Sequence, residues 1–99
     1  QKGIMLIEKS YEKNQIVSIK LVSGDEIIAK VVEDNEQEYK LNKPLAVVMS
    51  DKGLAMLPYM ISVAADEPLN LRKTHAMCVA KPVSEVEKHY IQITTGIAL

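Results

Sequence analysis

The residues of this chain best suited to recognition chemistry lie in one short run, Arg72-Lys73-Thr74-His75. Arg72 is the only arginine in the sequence. A guanidinium fork holds a phosphate through two hydrogen bonds or stacks on a flat ring. Lys73 adds a second positive charge, Thr74 a hydroxyl and His75 a ring able to stack. Together they suit a single-stranded nucleic acid. The plainer reading of the same four residues is a solvated turn with surface charge. Tyr39 is a second candidate, as a platform for a base, where stacking contributes about 1–3 kcal/mol per base. Its alternative is a strand aromatic half-buried against a core.

Other chemistry finds little support. Glu33, Asp34, Glu36 and Glu38 place four carboxylates within six residues. Such a run repels a phosphate backbone. It reads as a solvated loop or as a dock for a basic partner. No metal site is expected: His75 and His89 are not at ligand spacing, and the single Cys78 cannot build a zinc constellation. Cys78 sits between Met77 and Val79 and reads as a small buried hydrophobe. With four glycines there is no phosphate-cradling loop. No elbow motif frames a serine. Neither a catalytic residue nor a cofactor is expected, and the chain reads as a non-enzyme.

Short strands punctuated by turns must carry these residues. Val17, Ile19 and Leu21 alternate with Ser18 and Lys20, a period of two. Ser23-Gly24-Asp25 supplies a tight turn, and Glu26 to Glu33 a second β-branched strand, so the pair predicts a hairpin. Asp34 to Glu38 reads as a loop. Residues 39–49 read as one long strand bent near Pro44, which cannot donate to a ladder. Ser50-Asp51-Lys52-Gly53 is a turn, and Leu54 to Ala64 a further strand bent at Pro58. Leu69 to Arg72 and His75 to Ala80 are short strands on either side of a turn at Lys73-Thr74. Ile4 to Ser10 reads as a strand or an irregular segment. The period then changes. Ser84 and Glu87 have capping-box spacing, Val86, Tyr90 and Ile93 share one helical face, and Gly96 is a stop. A C-terminal α-helix is predicted from about residue 84 to 95.

Composition bounds the whole. The chain has 99 residues, 47% hydrophobic and 25% charged, which is one soluble domain rather than several. Four Tyr stand against no Phe and no Trp, so Val, Ile, Leu, Ala and Met supply the apolar volume. That mix suits the interior of a small barrel. A net charge of −1 excludes a chain-wide basic field for gripping nucleic acid. A lone cysteine suits a reducing cytoplasm. Ile4 to Ile7 is too short for a signal-peptide core. The longest uncharged run, residues 53–65, falls short of the ~20 apolar residues that span a membrane. No membrane partner is expected. Gln1 in first place implies a removed start methionine or a tag remnant.

The segment Ile16 to Val31, a hydrophobic strand, a glycine turn and a second hydrophobic strand, resembles the first Sm motif. Leu69 to Met77, with Arg72 at a strand end before a short turn, is similar to the second. Ser23 to Val31, the Lys43-Pro44 pair and the Tyr-bearing helix at 85–95 most resemble short Sm-like proteins of marine phages, especially cyanophage. The resemblance covers roughly residues 15–96. Arg72-Lys73 stands where the second motif has Arg-Gly, and DNEQEY (34–39) replaces the family's Asp-x-Met-Asn-like signature.

The resemblance implies a single Sm-like domain over residues 1–99. It would be a small, strongly bent antiparallel β-barrel of about five strands over residues 15–81, followed by the helix. It also implies a homo-oligomeric ring of roughly five to seven subunits joined by edge strands. Single-stranded RNA (or DNA) would bind at its pore. Carried over to this sequence, the pore loops are Asn35 to Tyr39 and Arg72 to His75. Asn35, Tyr39, Arg72, Lys73, Thr74 and His75 are then the expected nucleic-acid-binding residues. The location would be cytoplasmic, in the host cell if the chain is phage-encoded. The competing expectation is a structural or assembly protein whose ring binds a protein partner, which the near-neutral charge favours.

Overall fold

The computed structural model describes residues 11–96. The segment Ile4 to Ser10 lies outside the described residues. The chain is mainly β. In order it forms β1 (Gln15–Leu21), β2 (Glu26–Asp34), β3 (Glu38–Ser50), β4 (Gly53–Pro58), β5 (Leu69–Arg72), a 3-10 turn (Lys73–His75), β6 (Ala76–Ala80) and α1 (Ser84–Thr95).

The strands make one six-stranded sheet ordered β4-β3-β2-β1-β6, with β5 also pairing β3. Every pairing is antiparallel. The path has two ends and does not close into a barrel. The strand expected over 54–64 stops at Pro58, which has no N–H to continue the ladder. Residues 59–68 leave the sheet as turns before β5 resumes on the first half of β3.

The β1–β2 hairpin follows its sequence pattern. Gly24 sits at φ 99°, which only glycine adopts without strain, and Ser23 Oγ donates to Asp25 Oδ2 at 2.9 Å. The in-register pairs Ile19↔Ile27 and Val17↔Ala29 place four side chains on one face, each wholly buried. With Leu21, Val31, Tyr39 and Leu41 they form one core cluster. Ile16, Ile28, Leu45, Met56 and Tyr90 form a second.

The expected bend in the third strand is present and has a definable cause. Between Ile28↔Leu45 and Lys30↔Asn42, β3 carries one residue more than β2, and between Val31↔Leu41 and Glu33↔Lys40 it carries one fewer. The first irregularity is a bulge at Lys43-Pro44, with Lys43 in the left-handed region at φ 51°. Helix α1 fastens it from behind. The Tyr90 hydroxyl donates to the Lys43 carbonyl at 2.7 Å and lies 3.2 Å from that of Asn42. The Lys43 ammonium donates to the Thr94 carbonyl at 3.0 Å.

Helix α1 spans the expected residues but starts differently. Val83 is the N-cap, no side chain caps the turn, and the Glu87 N–H bonds the Val83 carbonyl. Ser84 is already the first helical residue, so it cannot act as the cap of a capping box. Glu85 and Glu87 in the first turn complement the helix dipole instead. The expected apolar face is partly displaced. Tyr90 is buried and Val86 packs beside it, but Ile93 is exposed and Ile91 packs in its place. Gly96 ends the helix at φ 76°. Cys78 is exposed, contrary to expectation. It lies opposite Lys20 on a strand that, among the described residues, pairs on one side only.

Candidate binding surface

The polar loop after β2 and the turn after β5 meet at one corner of the sheet. Pairing of β3 with β5 sets Glu38 opposite Arg72 and Tyr39 opposite Leu71. The Lys73 amide then donates to the Gln37 carbonyl at 2.8 Å. The loop has its own scaffold: Asn35 Oδ1 accepts the amides of Gln37 and Glu38 at 2.9 and 2.8 Å, an Asx turn. The turn is tied on its other side, where the Val22 amide donates to the His75 carbonyl at 2.8 Å. All six candidate residues are therefore brought to one region.

Their roles within it divide. Arg72, Thr74, His75 and Asn35 are exposed. Asn35 spends its side-chain oxygen holding the loop. Lys73 makes an ion pair with Asp34, whose side chain is only 5% exposed. The Lys73 ammonium also stands 4.7 Å from the centre of the Tyr39 ring. Tyr39 is 9% exposed and meets Tyr11 edge to face at 6.4 Å. The backbone N–H of Tyr11 donates to the second oxygen of Asp34 at 3.0 Å. Asp34 thus gathers three distant parts of the chain, and a buried carboxylate is stable there because both of its oxygens are satisfied.

The corner is not basic. Glu33, Asp34, Glu36 and Glu38 share it with Lys40, Arg72 and Lys73, leaving one excess negative charge. Of the two cations of the turn, Lys73 is paired with Asp34, next to the acidic loop. The loop and the turn are each legible in the sequence. Their juxtaposition depends on the β3–β5 register, which no local pattern reveals.

Sequence reading missed a second feature. A cavity of about 430 Å³ opens between the β3 bulge, the end of β4, the 59–68 excursion and the last turn of α1. Its walls include Leu45, Met56, Pro58, Met60, Leu69 and Ile93, with Asp66 and Glu67 also lining it. The apolar run 54–64 reads in sequence as one strand, which gives no sign of the excursion that makes the far wall.

Burial holds the Tyr90 phenol well above its ordinary pKa, with a backbone hydrogen bond to Lys30 acting the other way. Tyr90 is thus a structural clasp rather than a proton donor. Among the described residues no three His, Cys, Asp or Glu are grouped to hold a metal ion, and no helix is long and apolar enough to cross a membrane. No protein-family model matches the sequence, and no curated protein matches it.

Proposed function

We propose that this chain is a non-catalytic assembly module of Sm-like type, whose copies join head to tail, β4 of one against β6 of the next. Contacts of this kind close into rings, here of roughly five to seven subunits, each a bent Sm-like barrel completed by its neighbours. The character of the two end strands carries the reading. β4 reads GLAMLP and β6 reads AMCVA, without a charge between them in a chain that is 25% charged. Edge strands of proteins that stay single are normally guarded by charged side chains. Leu54, Leu57 and Met77 are exposed along these strands, at 39, 54 and 66%. The resemblance of residues 16–31 and 69–77 to the Sm motifs supports the same arrangement. Its setting is a reducing cytoplasm, where exposed Cys78 stays a thiol.

The ring's partner is a protein surface, favoured by the excess negative charge at the corner of residues 33–38 and 72–75. A second reading, single-stranded RNA or DNA, is favoured by the exposure of Arg72, Thr74 and His75 side by side. Light scattering tests the assembly: a mass of several times 11.0 kDa is expected, and a single-subunit mass overturns it. Titration with short oligonucleotides separates the partners. Salt-sensitive binding that Arg72→Ala abolishes at concentrations where that variant still assembles establishes the nucleic-acid reading, and its absence leaves the protein-partner reading.

A further inference from the structure

We infer that the 430 Å³ cavity is the seat for the Met77 side chain of a second copy of this chain, with Asp66 and Glu67 at the cavity answering Arg72 and His75 of the incoming copy. The inference rests on the β4–β6 contact proposed above and adds to it a specific anchor.

Met77 is the extra residue of a bulge. Lys20 pairs with Cys78 and Leu21 with Ala76, so Met77 has no opposite number on β1. Bulges re-aim a side chain, and this one leaves a flexible apolar side chain 66% exposed at the outer edge of the sheet. The cavity is its complement. It lies behind the end of β4, with Met56 and Pro58 of that strand in its wall. Apart from Lys43, Asp66, Glu67 and Thr94 its lining is apolar, surroundings in which a methionine packs well.

Register brings the two together. Antiparallel pairing of β6 within the length of β4 allows Met77 across from Met56 or Leu57, and of the two registers the one opposite Met56, the residue in the cavity wall, puts Met77 on the cavity's face of the sheet. The same pairing lays the start of β6, with Arg72 and His75 just before it, at the Pro58 end of β4. That is the end where Asp66 and Glu67 line the cavity. Charge and shape therefore select one orientation of one partner. Asp66 and Glu67 are exposed, and among the described residues neither makes an ion pair. An exposed anchor entering a neighbour's apolar pocket is the usual form of an interface hot spot.

The test measures subunit association of the full chain by light scattering over a dilution series, with circular dichroism as the check on folding. Met77→Asp and Met60→Asp are each expected to weaken association at least tenfold while the fold remains. Met77→Leu keeps the volume and is expected to assemble like the wild type. Met60 lies in the excursion rather than in an edge strand, so its effect reports the cavity and not the ladder. Asp66→Lys with Glu67→Lys is also expected to weaken association, and adding Arg72→Glu to restore it. If Met60→Asp, or Met77→Asp, assembles as tightly as the wild type, the seat is refuted and the β4–β6 contact stands. Failure of Arg72→Glu to restore the reversed pair refutes the charge contact. A wild-type protein that is a single subunit at all concentrations overturns both readings.

Discussion

One strand runs through two different worlds. The first half of β3 has neighbours on both sides, β2 and β5 at Tyr39 to Leu41 and β2 and β4 at Leu45, and buries Tyr39, Leu41 and Leu45. Its last residues, Val47 to Ser50, pair with β4 alone and form a projecting ribbon. Val48 is 40% exposed there and Met49 77%. The exposed half is, if anything, the more apolar in sequence, Val-Val-Met against a first half that alternates with Lys40, Asn42 and Lys43. What differs is the number of layers available to cover them. A two-stranded ribbon with apolar side chains on the outside is marginal by itself. Apolar β sequence therefore marks a demand for burial without saying whether the same chain or another copy meets it.

Substitutions on the two sides of this divide are expected to separate by stability and by association. Ile27→Ala, in the fully buried hairpin, should cost about 2–5 kcal/mol in urea unfolding. A cost below 1 kcal/mol would show that the hairpin is not the rigid half. Asp34→Ala removes the acceptor of both Lys73 and the Tyr11 amide, and should cost about 2–3 kcal/mol in the same measurement. Tyr90→Phe unfastens the bulge at the border of the halves, for about 1 kcal/mol. Its loss should also flatten the alkaline limb of stability. The unfolded phenol ionises near its ordinary value of 10.0, while the buried one stays protonated. Unfolding thus releases a proton above that pH, and stability falls as pH rises. A wild-type and Tyr90→Phe pair with parallel stability–pH curves up to pH 11 would exclude that contribution. Leu57→Ala on the ribbon should change unfolding of the separated subunit by no more than about 0.5 kcal/mol. Its effect should appear instead in the dilution series, as weaker assembly.

The hairpin, the bent third strand and α1 were legible because each is specified locally. Period-two alternation wrote the hairpin, a proline inside a β-branched run announced the bend, and i, i+4 spacing wrote the helix. Val83 as N-cap was not legible, since a Ser–Glu pair at the right spacing looks identical whether or not the chain enters the helix one residue early. Tyr59 to Ala64 is as apolar as any strand here but leaves the sheet after Pro58. At the corner, the order of loop and turn was readable through the family resemblance. The Asp34–Lys73 pair was not, because it joins residues 39 positions apart through a register that only the folded sheet sets.

The slip at Lys43 has a geometric meaning beyond local pairing. In the β2–β3 ladder one irregularity adds a residue and the other removes it, so the strands leave in the alignment in which they entered. Deleting Lys43 would leave every remaining hydrogen-bonded rung possible and yet straighten the strand. What that one left-handed residue stores is therefore direction: the angle at which the ribbon departs from the body. The Tyr90 hydroxyl, bonded to the Lys43 carbonyl at 2.7 Å, keeps that direction fixed.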